Sequence, residues 1–225
     1  MTRRLLVHDL GRQSYSEVLE QQRNLARRRV TGELQDDLLL IVEHEPVVTL
    51  GRGTRHESLP LGAAALARKG VEVHEVERGG DVTFHGPGQL VGYPILDLRK
   101  HREDLHWYLR SLEASLVDGL DTLGIGAGTN PGLTGVWTRG RKIASIGIHV
   151  KQWVTYHGFA LNVTTDLTYF DLIVPCGIRD VVMTSVAMES GRTDSGLWSD
   201  TRQAVLEGFA RVFSLDPMEA EPVLP

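Results

Sequence analysis

Apolar positions along the chain change their period several times, and each change marks a new element. Tyr15, Val18, Leu19, Gln22, Leu25 and Ala26 recur at helical spacing behind Ser14, a favourable N-cap residue. Leu38 to His44 reads as a buried strand that Pro46 stops, with a short continuation from Val47 to Leu50. Leu61 to Lys69 predicts a helix closed by Gly70. Val71 to Glu77 and Leu90 to Leu98 predict strands, and Pro94 inside the second predicts an edge or a bulge. Leu105, Leu109, Leu112, Leu116, Leu120 and Leu123 form the stripe of a long helix that Gly124 ends. Between Val136 and Val163 alternating segments are separated by turn residues such as Arg139-Gly140, as in antiparallel strands. A last helix from about Ser199 to Phe213 buries Val205, Phe209, Val212 and Phe213. Grouped strands interrupted by a few helices predict an α+β fold with a mixed, largely antiparallel sheet flanked by helices. No repeat or linker divides the chain, so residues 1–225 are expected to form one domain.

Composition narrows the class. Hydrophobic residues make up 41% and charged residues 24%, which is ordinary globular usage and argues against wholesale disorder. A net charge of −5 gives no overall positive field for nucleic acid. Arg23, Arg27, Arg28 and Arg29 crowd one predicted helix, either as a solvated face or as a local basic surface for an acidic partner. The longest apolar stretch, near Leu38 to Val42, is far shorter than the ~20 residues a spanning helix needs. The first seven residues lack the features of a signal peptide, and a single cysteine excludes an internal disulfide. A cytoplasmic protein without membrane contact is the expectation.

Four segments carry candidate chemistry. Arg78, Gly79, Gly80, Asp81, Val82, Thr83, Phe84 and His85, followed by Gly86-Pro87-Gly88-Gln89, are too rich in glycine and proline for a regular strand interior. Polar groups set in such a loop suit a ligand pocket. In the stretch from Arg141 to Val150, strand alternation puts Ile146, Ile148 and Val150 on one face and Ser145, Gly147 and His149 on the other. Small residues at Ser145 and Gly147 leave room for a ligand, and Gly158 and Ala160 around Phe159 repeat the theme. Lys142 begins the first of these strands, where a lysine is ordinarily a solvated charge.

Cys176, between Pro175 and Gly177, is placed on a sharp turn and not inside a helix or strand. A thiol with its ordinary pKa of ~8.5 is only a few per cent ionised at neutral pH, and the thiolate is the attacking species. Lowering that pKa by ~1.5 units takes ~2 kcal/mol, which one ammonium in a partly dry pocket supplies. Lys142 is a candidate for that ammonium, and a Cys–Lys pair is chemically sufficient for acyl transfer.

Taken in order, Arg78-Gly79-Gly80…Thr83-Phe84-His85-Gly86-Pro87-Gly88-Gln89, Arg141-Lys142-Ile143-Ala144…Ile146-Gly147, His157-Gly158…Leu161-Asn162 and Pro175-Cys176-Gly177-Ile178 resemble the lipoyl(octanoyl) transferases. These belong to the wider biotin and lipoate protein-ligase fold group, and Glu43-His44…Pro46-Val47…Thr49…Gly51-Arg52 fits as well. The resemblance runs from about Tyr15 to Ser185, and nothing after Ser185 matches a motif. It implies a biotin/lipoate-ligase-like fold and an enzyme that moves octanoyl from acyl carrier protein, through a cysteine thioester, to a lysine of a lipoyl domain. The implied acceptors are the lipoyl domains of 2-oxoacid dehydrogenases and the glycine cleavage H protein.

By position, Cys176 is then the nucleophile and Lys142 its activator. Arg78 to His85, Ser145 to Gly147 and Gly158 to Ala160 contact the acyl chain. The resemblance implies no metal and no cofactor, and a monomer is the expectation. Three other readings stay open. They are an ATP-dependent ligase on the same fold, a metal hydrolase using His85, His149, His157 and Cys176, and a non-catalytic acyl-binding module.

Overall fold

The computed structural model describes residues 3–174 and 181–221. Seven strands form the main sheet in the order β10 (Leu215–Glu219), β1 (Arg3–Gln13), β2 (Asp37–His44), β6 (Gln89–Ile95), β9 (Val154–Asn162), β8 (Arg141–Lys151) and β7 (Val136–Thr138). Only β10, β1 and β2 run parallel to one another, so the sheet is mixed and largely antiparallel, as predicted. A second sheet of three strands, β4 (Glu72–Glu75), β3 (Val47–Leu50) and β5 (Val82–His85), was not anticipated. It needs β5, which lies inside the stretch read as loop. Four residues before Gly86 suffice to pair Val82–His85 with β3.

Two cores flank the main sheet. Helix α1 (Tyr15–Thr31) buries the six residues its period predicted: Val18, Leu25 and Ala26 pack on one face of the sheet against Leu38, Leu40, Val91, Tyr93 and Ile95, and Tyr15 and Leu19 against Val47 and Val76. Helices α3 (Leu105–Thr122) and α5 (Leu197–Phe213) cover the other against Leu39, Ile41, Leu90 and Leu161. The leucine stripe of α3 holds at Leu112, Leu116 and Leu120, but Leu105 in the first turn is exposed and Tyr108 is buried instead. The short α2 (Ala63–Ala67) ends before Gly70, and α4 (Val186–Ser190) follows the second sheet's last contacts. The stretch after Ser185 is therefore structural: α5 closes one core and β10 covers the edge of β1.

Two expectations change. Pro94 lies in a central strand, not on an edge; the expected irregularity is present, because the β6–β9 ladder stops at Gly92↔Phe159. The four arginines of α1 are not one basic face. Arg29 is 2% exposed and paired with Asp37, Arg23 makes two bonds of 2.8 Å to Glu77, and Arg28 faces Glu33. No helix among the described residues is long and apolar enough to cross a membrane.

Helices α3 and α5 touch through glycines. A Cβ on Gly208 would fall on the Ser115 carbonyl oxygen and 2.9 Å from the Gly119 nitrogen. Overpacking of this kind costs about 1–3 kcal/mol, and a domain of this size loses about 2–4 °C of Tm per kcal/mol. Gly208→Ala is expected to lower the melting temperature by roughly 5 °C in a calorimetric scan. An unchanged Tm would mean that the helices separate without cost.

Candidate active site

Between the two sheets lies a cavity of about 230 Å³, below the ~300 Å³ at which drug-sized pockets begin. Three groups of predicted residues wall it: Arg78, Gly80, Asp81, Val82, Thr83 and His85; Ser145, Ile146 and Gly147 on β8; Gly158, Phe159 and Ala160 on β9. Gly147 and Gly158 are paired across these strands. A side chain at Gly147 would meet Arg78 Cδ at 3.0 Å, and one at Gly158 would fall on the Gly92 carbonyl oxygen. The strands therefore need small residues here to bring backbone close to backbone.

Two predicted binding residues do not reach the cavity. Phe84 alternates with Thr83 and His85 on β5 and points away, stacking on Tyr169 at 4.6 Å in the core of the second sheet. Gly79 donates its N–H to the Ile148 carbonyl at 2.8 Å, which ties the loop to β8. Other walls were missed: Tyr15, Tyr93, His157, Gly132, Leu133 and Thr134. Tyr15 and Tyr93 read as helix and strand core, although a buried tyrosine hydroxyl needs a polar neighbour, which was the available signal.

Arg78 fixes the loop. Its guanidinium donates to the Thr49 carbonyl at 2.7 Å and to Thr49 Oγ1 at 2.9 Å, so it is a structural clamp at the cavity wall. His157 takes a positive φ of 56° inside β9, where Pro94 cannot pair. Its backbone N–H is taken instead by Gln22 Oε1 of α1, at 2.9 Å. His149 Nδ1 donates to the Glu77 backbone carbonyl at 3.0 Å, at the far end of β8.

Lys142 is not a solvated strand end. It is 1% exposed, with its ammonium 5.5 Å from the centre of the Trp137 ring. The β8–β9 ladder ends at Ala144↔Leu161. Beyond it β8 exchanges β9 for residues 182–184: Lys142 N–H donates to the Val182 carbonyl at 2.8 Å, and Thr184 N–H donates to the Lys142 carbonyl at 2.9 Å. On the other side, a Cβ at Gly135 would lie 2.7 Å from Lys142 Cε. Gly135 continues the Gly132–Thr134 wall, which puts Lys142 immediately behind the cavity rim.

Pro175, Cys176, Gly177 and Ile178 lie outside the described residues. The chain on either side is anchored at the site. Val174 N–H donates to the Ser58 carbonyl at 2.9 Å, and Ser58 Oγ donates to Asp81 of the cavity wall at 2.6 Å. Val182, on the other side, is the neighbour of Lys142. Among the described residues no three His, Cys, Asp or Glu side chains cluster as a metal would require. His85, His149 and His157 are accordingly engaged elsewhere: His85 with Gln89, His149 with the Glu77 carbonyl, and His157 3.9 Å from Glu77.

Residues 14–210 match the lipoyl protein ligase A/B catalytic domain. An octanoyltransferase of Solibacter usitatus is 48% identical over 95% of this chain and 95% of its own length. One from Nostoc sp. is 44% identical over 96% and 95%. In three dimensions, a bipartite lipoate protein ligase from Thermoplasma acidophilum superposes with a TM-score of 0.74 at 16% identity, covering 98% of this chain and 88% of that one. That likeness bears on the fold alone.

Two buried histidines make stability depend on pH. His44 Nδ1 must donate to the Gln13 carbonyl, which only accepts, so Nε2 accepts from the Tyr93 hydroxyl at 2.9 Å. Burial lowers His44 to about 4, and burial with the nearby His44 and Arg78 lowers His85 to about 3. Both lie below the unfolded value of about 6.5, so the unfolded chain binds more protons as pH falls. The sign follows: stability is full above pH ~6.5 and is lost on acidification, by about 2 kcal/mol per histidine between pH 6.5 and 5. Urea midpoints of wild type and His44→Gln at pH 7 and 5 check this, with a smaller acid loss expected in the variant. Equal losses would contradict it.

Proposed function

Because this chain belongs to the octanoyltransferases of the lipoyl protein ligase A/B catalytic-domain family, we propose that it transfers an octanoyl group to lysines of lipoyl domains through a thioester on Cys176. The observation that supports the mechanism is that described residues on either side of Cys176 are held at the site: Val174 donates to the Ser58 carbonyl, Ser58 bonds Asp81 of the cavity wall, and the Val182 carbonyl accepts from the Lys142 N–H.

In the first half-reaction the Cys176 thiolate attacks the carbonyl of octanoyl carrier protein. The new C–S bond forms, the carrier's C–S bond breaks, and the departing thiolate takes a proton from the Lys142 ammonium. A neutral lysine of the acceptor then attacks the thioester. Its proton passes to the Lys142 amine, the amide forms, and the Cys176 thiolate returns beside an ammonium. Atoms and charge balance, and no nucleotide or metal enters. A cavity of about 230 Å³ with Ser145, Gly147, Gly158 and Ala160 among its walls has room for an acyl chain. Donor carrier protein, lipoyl-domain acceptors and a cytoplasmic monomer complete the proposal.

The ligase reading keeps the same fold but uses a free acid and ATP. Intact-mass measurement separates the two. Octanoyl carrier protein alone is expected to add one octanoyl group to the wild type, removable by hydroxylamine, and nothing to Cys176→Ser. Acylation only with octanoic acid and ATP would overturn the proposal. Lys142→Arg keeps the charge but holds its proton permanently, and is expected to lower turnover by about 100-fold or more. Near-normal turnover would leave Lys142 with no role in proton transfer.

A further inference from the structure

Two buried amides sit where β8 changes neighbours. Gln89 and Asn162 face each other in the β6–β9 register, beside the point where the β8–β9 ladder ends. Gln89 Nε2 donates to the Phe84 carbonyl at 3.2 Å and to Asn162 Oδ1 at 2.9 Å. Carbonyl oxygens only accept, so the amide's orientation is settled and its Oε1 accepts from His85 Nδ1 at 2.8 Å. Asn162 Nδ2 then donates to the Thr184 carbonyl at 3.0 Å. The direction of every proton in the column His85→Gln89→Asn162→Thr184 is thereby fixed.

One end of this column is a wall of the cavity, and the other is the residue whose N–H holds the Lys142 carbonyl. Resting on the function proposed above, we infer that Gln89 and Asn162 are positioning residues that hold the 182–184 segment against Lys142 and so keep its amine in reach of the reacting sulfur. Neither amide lines the cavity, so neither is needed to bind the acyl chain. Removing the Asn162 donor leaves the buried Thr184 carbonyl without its partner, and the cost falls on the segment that pairs with Lys142.

Asn162→Leu is close in shape to the wild-type side chain and removes that donor without adding charge; Gln89→Met does the same for the other amide and carries the test if the first variant does not fold. The inference predicts a split: kcat falls at least tenfold while KM for octanoyl carrier protein stays within twofold. It also predicts that the pH midpoint for iodoacetamide alkylation of Cys176, the single cysteine, rises toward the ordinary thiol value of ~8.5. A purely structural role would lower Tm and move neither. A folded variant with wild-type kcat and alkylation midpoint overturns the inference. If the wild type itself takes no acyl group from octanoyl carrier protein, the underlying reading fails. If wild type and variants are acylated equally fast, only the positioning role fails.

Discussion

A primary amine held almost entirely out of water is the constraint on which this structure turns. Lys142 is buried at the end of a β-ladder, beneath an indole and against a residue that must be glycine. Burying an ammonium is costly unless the surroundings compensate it. The sheet supplies that place by letting β8 change partners, from β9 to the segment 182–184. Strand exchange leaves polar backbone to satisfy, and the buried amides of Gln89 and Asn162 satisfy it.

The rest of the fold brings this place next to the cavity. β8 and β9 approach through Gly147 and Gly158, the loop from Arg78 closes over them, and Arg78 is itself locked on Thr49. The second sheet carries His85 and Thr83 into the wall and turns Phe84 into its own core. Helices α3 and α5 pack on the far face through a glycine contact, and Ile146, Ile148 and Val150 of β8 pack against the core they form. Small residues thus do two jobs, one making space for a ligand and the other excluding space between helices.

Much of this was legible in the chain. The six buried residues of α1 follow directly from period, and along β8 Ile146, Ile148 and Val150 pack on the core while Ser145 and Gly147 line the cavity. The Arg139-Gly140 turn was equally readable, and both residues have positive φ. What was not legible depends on contacts distant in sequence. The strand at Arg3–Gln13 exists because it pairs with β2 and β10, while its own polar residues alternate weakly. Burial of Lys142 depends on Val182 and Thr184, some forty residues away. Tyr15 and Tyr93 reach the cavity from separate elements, and only their hydroxyls, not their spacing, set them apart from core. Motif resemblance identified the family and most of the walls; of the predicted residues Phe84 turns into the core of the second sheet and Gly79 ties the loop to β8.

A crystal structure of the enzyme trapped with its acyl group would test the central claim most directly. The account predicts the thioester sulfur of Cys176 about 3–3.5 Å from Lys142 Nζ, with the chain lying along Ser145–Gly147 and Gly158–Ala160. An acyl chain bound elsewhere, or a sulfur far from that nitrogen, would contradict it.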